Sequence, residues 1–323
     1  MAMRDVGECL LAAVCCLSGL ASRSSQAAGP AWYLKLVSSS RSFLVSEDGT
    51  DRRIVGDSVN PDRSRNVSPD GRWALYVDAA NGDAELFRMN LATQAIVKLT
   101  DNTASDDDPV WAPDGRQIAF SSNRSGQWQV YLMNSDGSNV KQRTAATLGA
   151  RKPKLGAMGQ LAYVRMITGT GRDQLVDLAI EVGGEARTVL GKRRVTCFAW
   201  SPDGKLLAVG ELTDEGGKID FIEWATGKVN QIDLRSKVDA RLDWHSAVQI
   251  HWRPDGRAIG CRLAFSGSRM AGGARIFGDE EIFVISLDGR ARWFEFGEGD
   301  VQIVGWERAG DKGNTRLDPV VRH

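Results

Sequence analysis

One four-residue turn recurs along this chain at a regular interval, and that period restricts the fold more than any other feature. Ser68-Pro69-Asp70-Gly71 returns as Ala112-Pro113-Asp114-Gly115, Ser201-Pro202-Asp203-Gly204 and Arg253-Pro254-Asp255-Gly256. Trp111, Trp200 and Trp252 each stand just before a copy. Gly71 and Gly115 are about 44 residues apart, and Gly204 follows Gly115 at about twice that distance, so a degenerate copy belongs near residue 159. Leu155-Gly156-Ala157-Met158-Gly159 fills the place, keeping the glycine and an apolar residue in the tryptophan slot. The turn has a direct physical reading. Pro presets φ at about −65° for the first central position, Asp suits the second, and Gly closes the turn.

Strand-like runs flank these turns, such as Gln117-Ile118-Ala119-Phe120 and Gln129-Val130-Tyr131-Leu132-Met133. A second turn, Asn134-Ser135-Asp136-Gly137, recurs as Ala225-Thr226-Gly227 and Ser286-Leu287-Asp288-Gly289. Each repeat thus holds four short strands joined by tight turns, which is one blade of a β-propeller. Ser46-Glu47-Asp48-Gly49 is a second turn with no first turn ahead of it, whereas Trp306-Glu307-Arg308-Ala309-Gly310 has the spacing of Trp111 to Gly115. The last blade therefore joins an inner strand from the C-terminal end to outer strands from residues 31–56. This closure leaves no open sheet edge there. The expected fold is all-β: a six-bladed β-propeller whose last blade is closed by N- and C-terminal strands. Pro109, Pro153, Phe198, Ile250 and Val304 lie two before the tryptophan slot and should pack between blades, with Arg65 the exception.

Asp108-Pro109-Val110-Trp111-Ala112-Pro113-Asp114-Gly115-Arg116-Gln117-Ile118-Ala119-Phe120-Ser121-Ser122-Asn123-Arg124, continuing through Val130-Tyr131-Leu132-Met133-Asn134-Ser135-Asp136-Gly137, resembles the repeat of the TolB-like propeller family, which is WD-like. The resemblance covers residues 31–310. It implies a propeller domain only, without the α/β domain that TolB resembles a fusion to and without the hydrolase domain of related peptidases. No catalytic residues are carried over, and fold-level likeness is an analogy for function.

The partner classes are narrowed by charge. Lys+Arg and Asp+Glu both count 41, so no basic excess exists to neutralise phosphates and nucleic acid is not expected as the partner. Cys9 to Ala21 is an apolar run too short to span a bilayer, which needs about 20 residues, and it suits a signal peptide over residues 1–27 with small residues at Ser25 and Ala27. Arg4 in the leading segment is offset by Asp5 and Glu8. The expectation is an exported, periplasmic or secreted protein with no transmembrane segment, a propeller over 31–310 and a C-terminal tail over 311–323. Outside the leader only Cys197 and Cys261 remain. They show neither metal-ligand nor C-x-x-C spacing. A disulfide is open to them in an oxidising compartment, and two buried thiols are favoured.

Catalytic motifs are absent from the sequence: there is no nucleophile elbow in hydrolase order, no P-loop and no zincin signature. His251 precedes Trp252 and approaches the central channel, but the equivalent positions hold Asn66, Val110, Lys154, Ala199 and Gly305, which build no histidine-rich metal centre. Neither a metal nor a cofactor is expected. Three before the slot stand Ser64, Asp108, Lys152, Cys197, Gln249 and Ile303. Ser64, Asp108, Lys152, Gln249 and His251 are therefore the expected channel lining, a mixed polar surface suited to a small ion.

Blade five departs from the period. Gly204 to Gly256 spans about 52 residues and Gly256 to Gly289 about 33, placing insertions at 235–247 and 266–278 on the face opposite the Pro-Asp-Gly turns. These two loops carry Arg241, Asp243, Trp244, His245, Arg269, Met270 and Arg275, of which Arg, Trp and Met are types that interfaces favour. The reading they support is a monomeric, non-catalytic scaffold or recognition module with a protein or cell-envelope partner. The alternative is a propeller enzyme of lyase, lactonase or hydrolase type using Asp108, His245 or His251.

Overall fold

In the computed structural model the described residues are 32–37, 41–47, 52–57, 66–79, 82–168, 175–214, 216–234, 245–265, 268–271, 274–277, 281–295 and 301–308. They form 26 strands in six four-stranded antiparallel sheets and one separate two-stranded sheet. The chain opens with β1 (Trp32–Val37), β2 (Arg41–Ser46) and β3 (Arg52–Asp57). Blade one follows as β4 (Asn66–Val67), β5 (Trp73–Asp78), β6 (Glu85–Asn90) and β7 (Ile96–Lys98). Blade two is β8 (Asp106–Trp111), β9 (Gln117–Ser122), β10 (Gln129–Asn134) and β11 (Lys141–Gln142). Blade three, the degenerate repeat, is a full blade: β12 (Ala150–Leu155), β13 (Leu161–Thr168), β14 (Leu175–Val182) and β15 (Glu185–Arg193). Blade four is β16 (Val195–Trp200), β17 (Leu206–Thr213), β18 (Gly216–Glu223) and β19 (Lys228–Asp233).

Blade five starts with β20 (His245–Trp252) and β21 (Ala258–Phe265). A hairpin of β22 (Ser268–Ala271) and β23 (Ala274–Phe277) interrupts it before β24 (Glu281–Ser286) and β25 (Ala291–Glu295) complete the sheet. The final strand, β26 (Gln302–Arg308), pairs with β1 in a sheet ordered β26-β1-β2-β3. The closure expected from the split repeat is therefore present, with Leu34 opposite Trp306 and Leu36 opposite Ile303. Two details differ from the sequence reading. His245 to Ala247 belong to the inner strand β20 rather than to a loop, and the 266–278 insertion holds a hairpin of its own. The expected leader at 1–27 and tail at 311–323 lie outside the described residues.

Turn chemistry repeats with the period. Gly71, Gly115, Gly204 and Gly256 all have φ of 70–72°, a left-handed conformation that a Cβ would strain. In blades one and four the turn serine doubles as a brace: Ser68 Oγ donates to Asp70 at 2.6 Å and Ser201 Oγ to Asp203 at 2.7 Å. Each aspartate also accepts the backbone N–H of the residue after the glycine, Arg72 at 3.1 Å and Lys205 at 3.1 Å. These hydrogen bonds, the serine's first, hold both carboxyls below their ordinary range.

The tryptophans tie blade to blade. Trp111 Nε1 donates to the Asn66 carbonyl at 3.0 Å, Trp200 to Lys154 at 3.0 Å, Trp252 to Ala199 at 2.9 Å and Trp306 to His251 at 3.1 Å. Each acceptor is the inner-strand residue one before the tryptophan slot of the preceding blade. A buried indole that packs apolar surface while its N–H finds a backbone oxygen serves both needs of the seam. Apolar residues fill the rest of each seam. Phe221, Trp252, Ile259 and Phe283 cluster between blades four and five, and Leu34, Leu36, Ile282, Val284 and Ile303 between blades five and six.

Candidate functional site in the central channel

The inner strands β8, β12, β16, β20 and β26 line the axis, and each pairs with its neighbour through a register shift. The shifts fall between Asp107 and Val110, Arg151 and Lys154, Val195 and Cys197, and Ala247 and Gln249, while β26 shows its own against β1. An extra residue at each place re-aims the side chains beside it. At the first two shifts Asp108 and Lys152 take φ of 52° and 56°. The alternation assumed for these strands is thus broken in the row three before the tryptophan slot.

This changes what the expected lining residues do. Asp108 is tied to its surroundings: its Oδ2 accepts from Ser121 Oγ at 2.8 Å and from Arg151 Nε at 3.2 Å, and the Lys152 N–H lies at 3.4 Å. Arg151 also reaches Asp107 Oδ2 at 2.7 Å and stacks over the Trp128 ring at 4.0 Å. A carboxylate so engaged joins blade two to blade three. Lys152 is exposed. Ser64, Arg241, Asp243 and Trp244 lie outside the described residues. On the opposite face, His245 begins β20 opposite Phe265, while Arg269 pairs with Ile276 and Met270 with Arg275 in the β22–β23 hairpin.

Gln249 and His251 are in contact, and that contact fixes a proton. Gln249 Nε2 donates to the Ile303 carbonyl at 2.8 Å and its Oε1 accepts the Ile303 N–H at 3.1 Å, so blade six orients the amide. The same Nε2 lies 3.1 Å from His251 Nε2. An amide nitrogen offers only donors, so His251 Nε2 accepts and the ring is a neutral imidazole carrying its hydrogen on Nδ1. Electrostatics agree. Burial, and then the positive charge of Lys154, push His251 down to about 4.

Lys154 is the residue that pattern reading passed over. It stands in the row of His251, and a lysine in a row otherwise holding Asn66, Val110, Ala199 and Gly305 was the available signal. Blades three and five are not neighbours, so a lysine on one that acts on a histidine on the other does so across the axis. Burial lowers the Lys154 ammonium from its ordinary range, and Asp108 offsets part of that. Cys197 lies between them on blade four. Its Sγ donates to the Ala247 carbonyl at 3.2 Å, and burial pushes the thiol up to about 12. Cys261 is a second free thiol, raised well above its usual value by burial. Both cysteines are unbonded, the outcome favoured by their isolation. Among the described residues no group of three or more His, Cys, Asp or Glu side chains is placed to hold a metal ion.

Residues 31–184 match the family described as the TolB beta propeller domain. An uncharacterized protein of Agrobacterium fabrum is 27% identical over 172 residues, which is 50% of this chain and 58% of that protein. The Tol-Pal system protein TolB of Francisella tularensis subsp. mediasiatica is 26% identical over 106 residues, 32% of this chain and 24% of that protein. The chain thus spans less than two thirds of either relative. Among solved structures, a protein assigned as TolB from Agrobacterium tumefaciens superposes with a TM-score of 0.59 at 18% identity, covering 85% of this chain and 93% of that one. An oligogalacturonate lyase from Vibrio parahaemolyticus follows at a TM-score of 0.50 and 13% identity, covering 78% and 70%. At these identities the likeness is one of fold.

Proposed function

The chain is a TolB-like six-bladed β-propeller, and from that premise we propose that it works as an exported protein-binding module of the cell envelope, engaging its partner at the insertion face of blade five. The observation that carries this reading is the β22–β23 hairpin. It falls in sequence between the middle strands of blade five, yet among the described residues it belongs to no blade sheet and its strands pair with each other. A two-stranded ribbon with free outer edges offers main-chain hydrogen bonds to an incoming strand. Arg269, Met270 and Arg275 lie in it, and two of these residue types are enriched at interfaces. Channel chemistry weighs against the lyase, lactonase or hydrolase reading. Asp108 is occupied by three donors, His251 is held neutral with its Nε2 already accepting, and Cys197 is locked as a thiol. Neither His251 nor Cys197 is poised to exchange a proton near pH 7. The short apolar run from Cys9 to Ala21 supports export, and among the described residues no helix is long and apolar enough to cross a membrane.

The test replaces residues 267–278 by a short Gly-Ser linker in the full chain and compares partner recovery after in-cell photocrosslinking from position 265, which both chains retain. Because the hairpin lies outside every blade sheet, the variant should keep the parent's thermal midpoint within about 2 °C while losing the crosslinked partner. Undiminished recovery by the variant would sink the interface assignment. Finding the chain uncleaved in the cytoplasmic fraction would sink the export half.

A further inference from the structure

The seams between blades are packed by large side chains at the tryptophan slot everywhere but at blade one. The residue in the slot and its partner on the next strand share a face, which is turned to the preceding blade. Trp111 stands opposite Ile118, Trp200 opposite Leu207 and Trp252 opposite Ile259. Blade six matches them with Trp306 opposite Leu34, and blade three still has Leu155 opposite Leu161. Blade one places Val67 opposite Ala74. Valine has no N–H to donate across the seam, and this pair lacks most of the apolar volume that an indole and a branched chain supply. Val67 is 39% exposed, whereas Trp111, Trp200 and Trp252 are at most 9% exposed. The apolar clusters of the described residues divide in the same way. They join blades one to two, two to three, three to four, four to five and five to six, and none of them spans six and one. The seam between blades two and three, which also lacks an indole, is bridged instead by Arg151 on Asp107 and by Arg143 on Glu181.

We propose that the seam between blades six and one is the ring's built-in opening: these two blades part in the native protein while the other seams stay shut. Each blade is a complete four-stranded antiparallel sheet, so its backbone hydrogen bonds survive the parting. What holds blade to blade is side-chain packing together with the indole hydrogen bonds, and at Val67 and Ala74 the slot supplies least of both. Openings follow the places where such contacts are fewest, at a free energy below that of global unfolding. The movement separates β4 from β26, two inner strands of the ring, and gives the central channel a lateral entrance. It needs no partner at the blade-five hairpin, so it stands or falls separately from the protein-binding role.

Native-state thiol labelling of the full chain tests this, read cysteine by cysteine by mass spectrometry. Ala74→Cys reports on the seam between blades six and one, since Ala74 is fully buried. Cys261, equally buried between blades four and five, is the internal reference, and Ala119→Cys reports on the seam between blades two and three. Relative to its rate in the unfolded chain, the thiol of Ala74→Cys should react at least about tenfold faster than either reference. Equal protection at all three, which is the pattern of global unfolding, overturns the proposal. Val67→Trp directs an indole N–H at the Gly305 carbonyl, the counterpart of the acceptors in the other clamps. Added to Ala74→Cys it should slow the labelling by about fivefold, and an unchanged rate in a folded variant overturns the proposal. A converse variant makes the test independent of whether Val67→Trp folds. Trp252→Phe removes an existing clamp and should speed the labelling of Cys261 by about fivefold. A Cys261 rate that does not move would mean that the clamps do not hold the seams shut, and overturns the proposal as well.

Discussion

Two buried groups give this propeller opposite responses to pH. His251 is held down to about 4 by burial and by Lys154, so acid favours the unfolded chain, whose histidine protonates near its ordinary value. That contribution is intact above about pH 6.5 and is lost as pH falls toward 4. Glu211 behaves in the reverse sense. It is 2% exposed on β17, its Oε1 lacks a hydrogen-bond partner, and burial followed by the neighbouring Asp220 pushes it up to about 7. Asp220, itself 4% exposed, is engaged by Gln231 Nε2 at 2.8 Å. A carboxyl raised in the folded state is fully accommodated below about pH 4.5, and its contribution is lost as pH rises through 7. Glu211→Gln keeps a donor for Asp220 and cannot ionise. At pH 8 it should stabilise the protein by about 2 kcal/mol, and at pH 5 by close to nothing. Denaturant midpoints at both pH values check this, and equal effects at the two would show that ionisation of Glu211 is not the cause. The seam tryptophans permit a matching test. Trp252→Phe keeps most of the ring but leaves the Ala199 carbonyl without its 2.9 Å donor, and should cost about 1–3 kcal/mol at any pH between 5 and 8.

At the scale of elements, turns were legible and bulges were not. Pro, Asp and Gly are chosen by backbone conformation, so each Pro-Asp-Gly turn is recorded in the residues that make it, and the four glycines all adopt the left-handed φ their places demand. Even the degenerate third blade was found, because Gly159 keeps its position and its φ of 82°. The inner-strand bulges leave no such record. Asp108 and Lys152 adopt positive φ with ordinary side chains, and Thr196 and Val248 stand at the corresponding shifts in blades four and five. What selects a bulge there is the long-range pairing of each inner strand with its neighbour, which local composition does not encode. Hence the pattern of residue types does not show that Asp108 braces Arg151, and Lys154, one residue before the slot, stands out in it only as a residue that is no metal ligand. Insertions were legible by length alone. Their sum against the period located the enlarged segments of blade five, but nothing in Ser268 to Phe277 announced a hairpin, since a Gly-Gly pair such as residues 272–273 is as common in loose loops as in hairpin turns.

The ring as a whole is closed by its last strand, and that closure reaches into the channel. β26 covers the edge of β1, burying Leu34, Leu36 and Ile303 completely against Ile282 and Val284. It also supplies the Ile303 backbone that orients Gln249, which in turn fixes the tautomer of His251, while Trp306 Nε1 caps the His251 carbonyl at 3.1 Å. One strand therefore serves fold completion and channel chemistry together: β26 meets Gln249 and His251 across 54 and 55 residues of chain, and β1 from nearly the full chain length away. Contacts of that separation form late, because the loop-closure entropy is met only when the rest of the ring is in place. A chain ending at residue 300 should consequently build blades one to five but leave β1 with an open edge and an uncovered apolar face. Such a chain should lose its sharp thermal transition and bind a hydrophobic dye. A synthetic peptide covering residues 300–310, added in excess, should restore the transition by strand addition. A truncated chain that melts as sharply as the parent would show that the ring does not need its closing strand at all.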